Sequence, residues 1–163
     1  MDKVKRERLE KLKESLILAA EDMDQASAAA VALRTDTSDD DAWTRALETA
    51  MAVSYMRPFT KGAWRLPGKY VPRDRAQNEL HRRLKDLRNR VYAHSDEASG
   101  RSASMKTRAT SGDVVTISYG SAWWVFPVED LAAVQALCHD HRQRFLTDAS
   151  AIHVDLEEAD ADV

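Results

Sequence analysis

The sequence predicts an all-α protein, an up-and-down bundle of four to five helices with a small β-hairpin inserted before the last helix. Three observations carry this. Apolar residues recur every three or four positions over long stretches, the period of an amphipathic helix. Residues 104–110 and 113–127 are rich in Val, Thr, Tyr and Trp and read as two strands. Proline and glycine concentrate between the helical stretches. The 163 residues suit one domain with a sizeable core, and 44% hydrophobic with 31% charged residues is a globular composition.

The first helix is expected from near Asp2 to about Leu33. Leu9, Leu12, Leu16, Ala19 and Met23 share a face, with a break conceivable at Asp22 to Asp24. The polar run TDTSDDD supplies N-caps for a second helix over residues 40–56, with Trp43, Leu47, Ala50, Met51 and Ser54 on its packing side. Pro58 ends it. Residues 60–72 form a loop with Gly62, Pro67, Gly68 and Pro72. Asp74 then caps a third helix, whose Ala76, Leu80, Leu84, Leu87 and Val91 make the clearest apolar stripe in the chain. Ser111-Gly112-Asp113 is the hairpin turn. Of the adjacent Trp123 and Trp124, one faces inward from its strand and the other outward. The last helix spans about 128–148, with Leu131, Val134, Cys138, His141 and Phe145 on one face. Residues 1–148 are thus one helical domain, and the acidic segment 149–163 is expected to be a flexible tail.

Composition excludes several classes. No apolar run approaches the ~20 residues of a membrane span. The N-terminus MDKVKRERLEKLKESL is charged and lacks the apolar core of a signal peptide, so the cytoplasm is the expected compartment. The single Cys138 excludes an intramolecular disulfide and a cysteine-based zinc cluster. His139 and His141 point some 160° apart on a helix, poor geometry for one metal ion, and His141 is expected in the core. No phosphate-binding glycine loop and no carboxylate cluster with metal spacing is seen, so neither cofactor nor metal is expected.

Charge is unevenly spread. Between Lys61 and His94 stand Lys61, Arg65, Lys69, Arg73, Arg75, Arg82, Arg83, Lys85, Arg88 and Arg90 against Asp74, Glu79 and Asp86. That stretch carries +7, so the rest of a chain with net charge −3 carries −10. Such separation suits a polyanionic partner, although a solvated helix face gives the same pattern.

The basic stretch ends in LRNRVYAHSD, residues 87–96. Its residue types match what RNA cleavage without a metal requires. Histidine transfers protons near neutrality. The arginine fork suits a phosphate, and asparagine can orient either. On an ideal helix Arg88 and His94 lie about 120° apart, so they do not meet within one chain. One copy supplies one histidine. Two copies across a two-fold axis supply two. The competing reading is a helix end, with His94 against the C-terminal dipole and the arginines spread over the core edge.

LRNRVYAHSD resembles the signature of HEPN domains, helical modules of prokaryotic antiphage and toxin–antitoxin systems and of some RNases. Arg88 is followed by the polar Asn89, and five residues separate Arg88 from His94. The Arg-Asn pair and the Ala-His-Ser-Asp ending are similar to the abortive-infection branch, as is the helix ending Tyr55-Met56-Arg57-Pro58-Phe59-Thr60. The resemblance covers residues 1 to about 148.

It implies a homodimer with facing motifs and a metal-independent endoribonuclease, a toxin or antiviral-defence effector. By it, Arg88, Asn89 and His94 are catalytic. From their charge and position on or beside the basic helix, Arg90, Arg82, Arg83, Lys85 and His81 are expected to contact RNA, and Asp96 and Tyr92 are candidates to orient the site. RNA, a second copy, and a cognate antitoxin or other defence protein are the implied partners. The alternative is a non-catalytic HEPN-like module that binds a protein partner or a nucleotide. A DNA-binding regulator is weaker, because no helix-turn-helix pattern occurs.

Overall fold

The computed structural model describes residues 1–38, 40–62, 64–92, 101–105, 117–121 and 126–161. Among these, four α-helices carry the fold: α1 (Lys3–Thr35), α2 (Asp41–Met56), α3 (Arg75–Tyr92) and α4 (Leu131–Ala161). The all-α class follows. Two backbone stretches between α3 and α4, β1 (Arg101–Met105) and β2 (Ile117–Ser121), are registered antiparallel, with Arg101 opposite Ser121. The expected turn at 111–113 and the Trp123–Trp124 pair lie outside the described residues.

Helix starts follow the expected capping chemistry. Asp40 Oδ1 accepts the N–H groups of Ala42 (2.8 Å) and Trp43 (3.2 Å). Asp74 Oδ1 accepts those of Ala76 (2.9 Å) and Gln77 (3.0 Å). Each cap satisfies donors that the first helical turn leaves without a partner.

α1 runs 33 residues, about 50 Å at 1.5 Å per residue, with no interruption. The break considered at Asp22 to Asp24 is absent because both acids point to cations on other elements. Asp22 is buried and paired with Arg57, and Asp24 Oδ2 accepts from Arg142 Nε at 2.8 Å. The pairs Asp22–Arg57 and Gln25–Ser54 set α2 antiparallel to α1. Gln77 to Asp140 and Arg83 to Asp130 set α3 antiparallel to α4.

α1 lies between α2 and α4, and α3 packs on α2. The core is one cluster. It takes Leu16, Met23 and the small Ala26 and Ala30 from α1, Met51 and Tyr55 from α2, Leu80, Leu84 and Leu87 from α3, and Leu131, Val134, Leu137 and Phe145 from α4. The alanines admit neighbouring helices to close approach, which the long side chains around them then fill.

Two expectations need correction. The packing side of α2 holds Met51 and Ser54 as expected but is rotated away from Trp43 and Ala50: Trp43 is 52% exposed, while Glu48, Met51, Ala52 and Tyr55 are at most 1% exposed. A glutamate in the middle of the true apolar stripe hid it. The acidic segment after residue 148 is not a frayed tail either. α4 continues to Ala161, because Ala149, Ile152 and Leu156 extend the buried stripe at helical spacing into the common cluster.

Leu156→Ala is therefore expected to cost about 2–4 kcal/mol of unfolding free energy in a urea titration. A loose tail would give no change.

Candidate functional site

The basic face of α3 was the site expected from the sequence. Its residues divide by environment. Arg82 and Lys85 are exposed, with Arg82 Nη1 only 3.3 Å from Glu79 one turn back. Arg88 is half-buried and Asn89 exposed. Arg88 Nη1 donates to Asn89 Oδ1 at 3.2 Å, so the two adjacent side chains meet at the last full turn of the helix. Arg90 and Tyr92 fall within α3, and only their backbone is described. His94 and Asp96 lie outside the described residues. The Arg88–Asn89 half of the motif is therefore the half whose contacts are visible.

Arg83 is an intermediate case. Its Nη2 donates to Asp130 Oδ2 at 2.7 Å, and its guanidinium lies 5.0 Å from the Phe126 ring centroid. Both partners of the ion pair are about one-third exposed. Arg83 ties α3 to the start of α4, which leaves fewer of its donors for an external anion.

His81 is the clear correction. Expected as an RNA contact, it is 7% exposed and its Nδ1 lies 3.0 Å from Tyr55 Oη. It falls beside Leu80 and Leu84 on the inner face, so it cannot meet a phosphate from this position. His141, expected in the core, is there. It is 5% exposed, with Nε2 at 3.5 Å from the same hydroxyl.

Phe59 packs edge-on to His81 at 5.0 Å, and Phe145 stacks on His141 at 5.4 Å. Burial lowers both imidazoles, and each further sets against positive neighbours. For His81 the neighbour is Lys85. For His141, pushed down to about 4, they are His81 and Arg144, with Asp140 opposing. Burial also raises the Tyr55 phenol, and raises the Cys138 thiol to about 12. Cys138 is therefore not a reactive nucleophile.

Sequence reasoning missed three other buried polar groups. Glu48, 1% exposed, accepts the backbone N–H of Phe126. Asp22 binds Arg57 on the floor of a cavity of about 180 Å³ lined also by Leu18, Pro58 and Trp64. Burial raises the Asp22 carboxyl, and the Arg57 guanidinium opposes that rise. Tyr70, fully buried, donates to Asp148 Oδ2 at 2.7 Å. The available signal was position. Glu48 and Tyr55 are seven apart and hence share a helix face.

Among the described residues no group of three or more His, Cys, Asp or Glu is placed to hold a metal ion, and no helix is long and apolar enough to cross a membrane. A scan against protein-family models, a search of curated proteins and a search of solved structures each return no match for this chain.

Glu48→Ala strands the Phe126 N–H in the interior and is expected to cost about 1–3 kcal/mol in chemical unfolding. Arg82→Ala, at a solvated position, is expected to stay within about 0.5 kcal/mol. Equal losses would contradict the assigned roles.

Proposed function

We propose that this chain is a metal-independent endoribonuclease of the HEPN type, acting as a homodimer in cellular defence or as a toxin. The β-hairpin between α3 and α4 is part of the same reading. One observation supports it above the others. Arg88 and Asn89 are joined at 3.2 Å near the end of a helix that displays Arg82 and Lys85 before them, with His94 to follow in the sequence. The Asn89 amide oxygen accepts one Arg88 N–H and so helps set the plane of a guanidinium, a group whose fork matches two phosphate oxygens.

In this reading one His94 takes the proton from a ribose 2′-hydroxyl. The 2′-oxygen attacks the neighbouring phosphorus, and the bond from phosphorus to the 5′-oxygen breaks. The second copy's His94 delivers a proton to that oxygen. The products are a 2′,3′-cyclic phosphate and a 5′-hydroxyl, so no cofactor enters the balance. Arg88 offsets charge on the phosphorane, which is the large electrostatic contribution in such chemistry. Arg82 and Lys85 add backbone affinity that falls with salt.

The test is cleavage of an end-labelled, mixed-sequence RNA in EDTA, with every variant sized in solution. The native chain is expected to cut. His94→Ala is expected to lose at least about 100-fold, the ordinary contribution of a proton-transfer group, and Arg88→Ala a similar amount. Retained cleavage in His94→Ala would overturn the assignment. Absence of cleavage by a native dimer would favour the protein- or nucleotide-binding module.

A further inference from the structure

The histidine pair in the core does something that apolar residues in the same places would not. Tyr55 on α2, His81 on α3 and His141 on α4 meet at one phenol oxygen, at 3.0 and 3.5 Å. Phe59 and Phe145 wall the meeting point. We propose that this trio is an acid-sensitive latch: protonation of its histidines releases α3, and with it Arg88 and Asn89, from the α2–α4 surface. The inference concerns the packing of α3 and holds whether or not the chain cleaves RNA.

Hydrogen-bond capacity gives the logic. A tyrosine hydroxyl has one proton to donate and can accept twice. With both rings neutral, the hydroxyl donates to one histidine and accepts from the other. With one ring charged, its N–H donates to the hydroxyl, which still donates to the neutral ring, so every bond survives. The cost of that first proton is desolvation, with repulsion from Lys85 or Arg144 added to it. With both rings charged, each facing nitrogen is a donor. The phenol proton then has no acceptor inside an aromatic wall, and two like charges share one site.

Asp140 favours a charged His141, but burial, His81 and Arg144 outweigh it. The charged and titratable groups around it are Lys85 on α3, Asp140, Arg144 and Cys138 on α4, and Asp24 on α1 towards Cys138. Asp140 already accepts from Gln77 Nε2 at 3.0 Å, and Asp24 is held by Arg142. Lys85 and Arg144 oppose protonation. The seat thus selects neutral rings while it is closed.

The direction with pH follows from linkage. An exposed histidine titrates near 6.5, whereas His141 in the closed seat lies at about 4. Above pH 6.5 neither state takes a proton and the seat is unaffected. As pH falls from about 6.5 towards about 4, the open state binds the proton first and gains population. For His141 alone, the opening constant is expected to rise roughly 30-fold by pH 5 and on the order of 100-fold by pH 4. His81, lowered as well, adds to this. Because His81 and Arg88 are seven residues apart, release of the first shifts a point two turns along the same rigid helix.

The experiment is native-state amide exchange on the full chain from pH 7 to 4.5, corrected for intrinsic rates, with the imidazole Cε1–H signals followed in parallel. Amides of Leu80 to Leu87 are expected to lose protection by at least about 15-fold between pH 6.5 and 5, while those of Leu16 to Ala30 in α1 hold. In His81→Phe/His141→Phe the loss should vanish. Should that double variant fail to fold at pH 7, His141→Gln, which keeps a polar group and cannot be protonated, is expected to reduce the loss. Constant protection of α3 down to pH 5 would overturn the latch. So would equal loss in α1, which marks global unfolding, or an undiminished loss in the variants.

Discussion

One phenol oxygen ties three helices together. Tyr55 Oη is the meeting point of α2, α3 and α4, and it is reached only because His81 and His141 sit at interior positions of their helices. Leucines alone would hold α3 by area, which is indifferent to small rotations of the helix. A hydroxyl shared between two ring nitrogens is directional, so it fixes the rotation and height of α3 as well as its burial. Everything displayed at the far end of α3 inherits that alignment. The orientation of the Arg88–Asn89 pair is therefore set about two turns away, in the core.

The same device recurs at other seams. Glu48 reaches from α2 to the backbone at Phe126, where the chain returns to the bundle. Asp22 reaches from α1 to Arg57, just after α2. Tyr70 reaches from the 60s loop to Asp148 on α4, with Lys69 3.6 Å from that carboxylate and Arg144 bonded to the Lys69 carbonyl. Such contacts add modestly to stability, since desolvation offsets much of the attraction. Their consequence is specificity of register, because a slipped helix would strand a buried polar atom at each seam.

This explains what could be read in the sequence and what could not. Apolar period and capping acids are local signals. They gave the four helices, the Asp40 and Asp74 starts and the buried face of α4 from Leu131 to Phe145. Polar residues on a buried face send the opposite local signal, because their partners are far away in sequence. Glu48 disguised the packing side of α2, and its partner lies 78 residues on. His81 reads as a surface cation because it stands beside Arg82 and Arg83, although it belongs to the inner stripe with Leu80 and Leu84. The acidic composition after residue 148 masked Ile152 and Leu156 in the same way.

The basic stretch looks different once those partners are known. Read as sequence, residues 61–94 carry +7. In the fold, Arg83 is engaged by Asp130, Lys69 sits by Asp148 and over the Tyr70 ring, and Arg82 lies by Glu79. The first two belong to the seams that hold the bundle, and one-third exposure or more leaves them screened. Arg82–Glu79 is a solvated pair that a phosphate could displace at little cost. On α3 the exposed Arg82 and Lys85 precede the Arg88–Asn89 pair, and Lys61, Arg65, Arg73 and Arg75 are exposed elsewhere on the surface. Charge counted along the sequence therefore overstates what the fold leaves to a polyanion, because the cations that tie the seams are held in place by their own carboxylates.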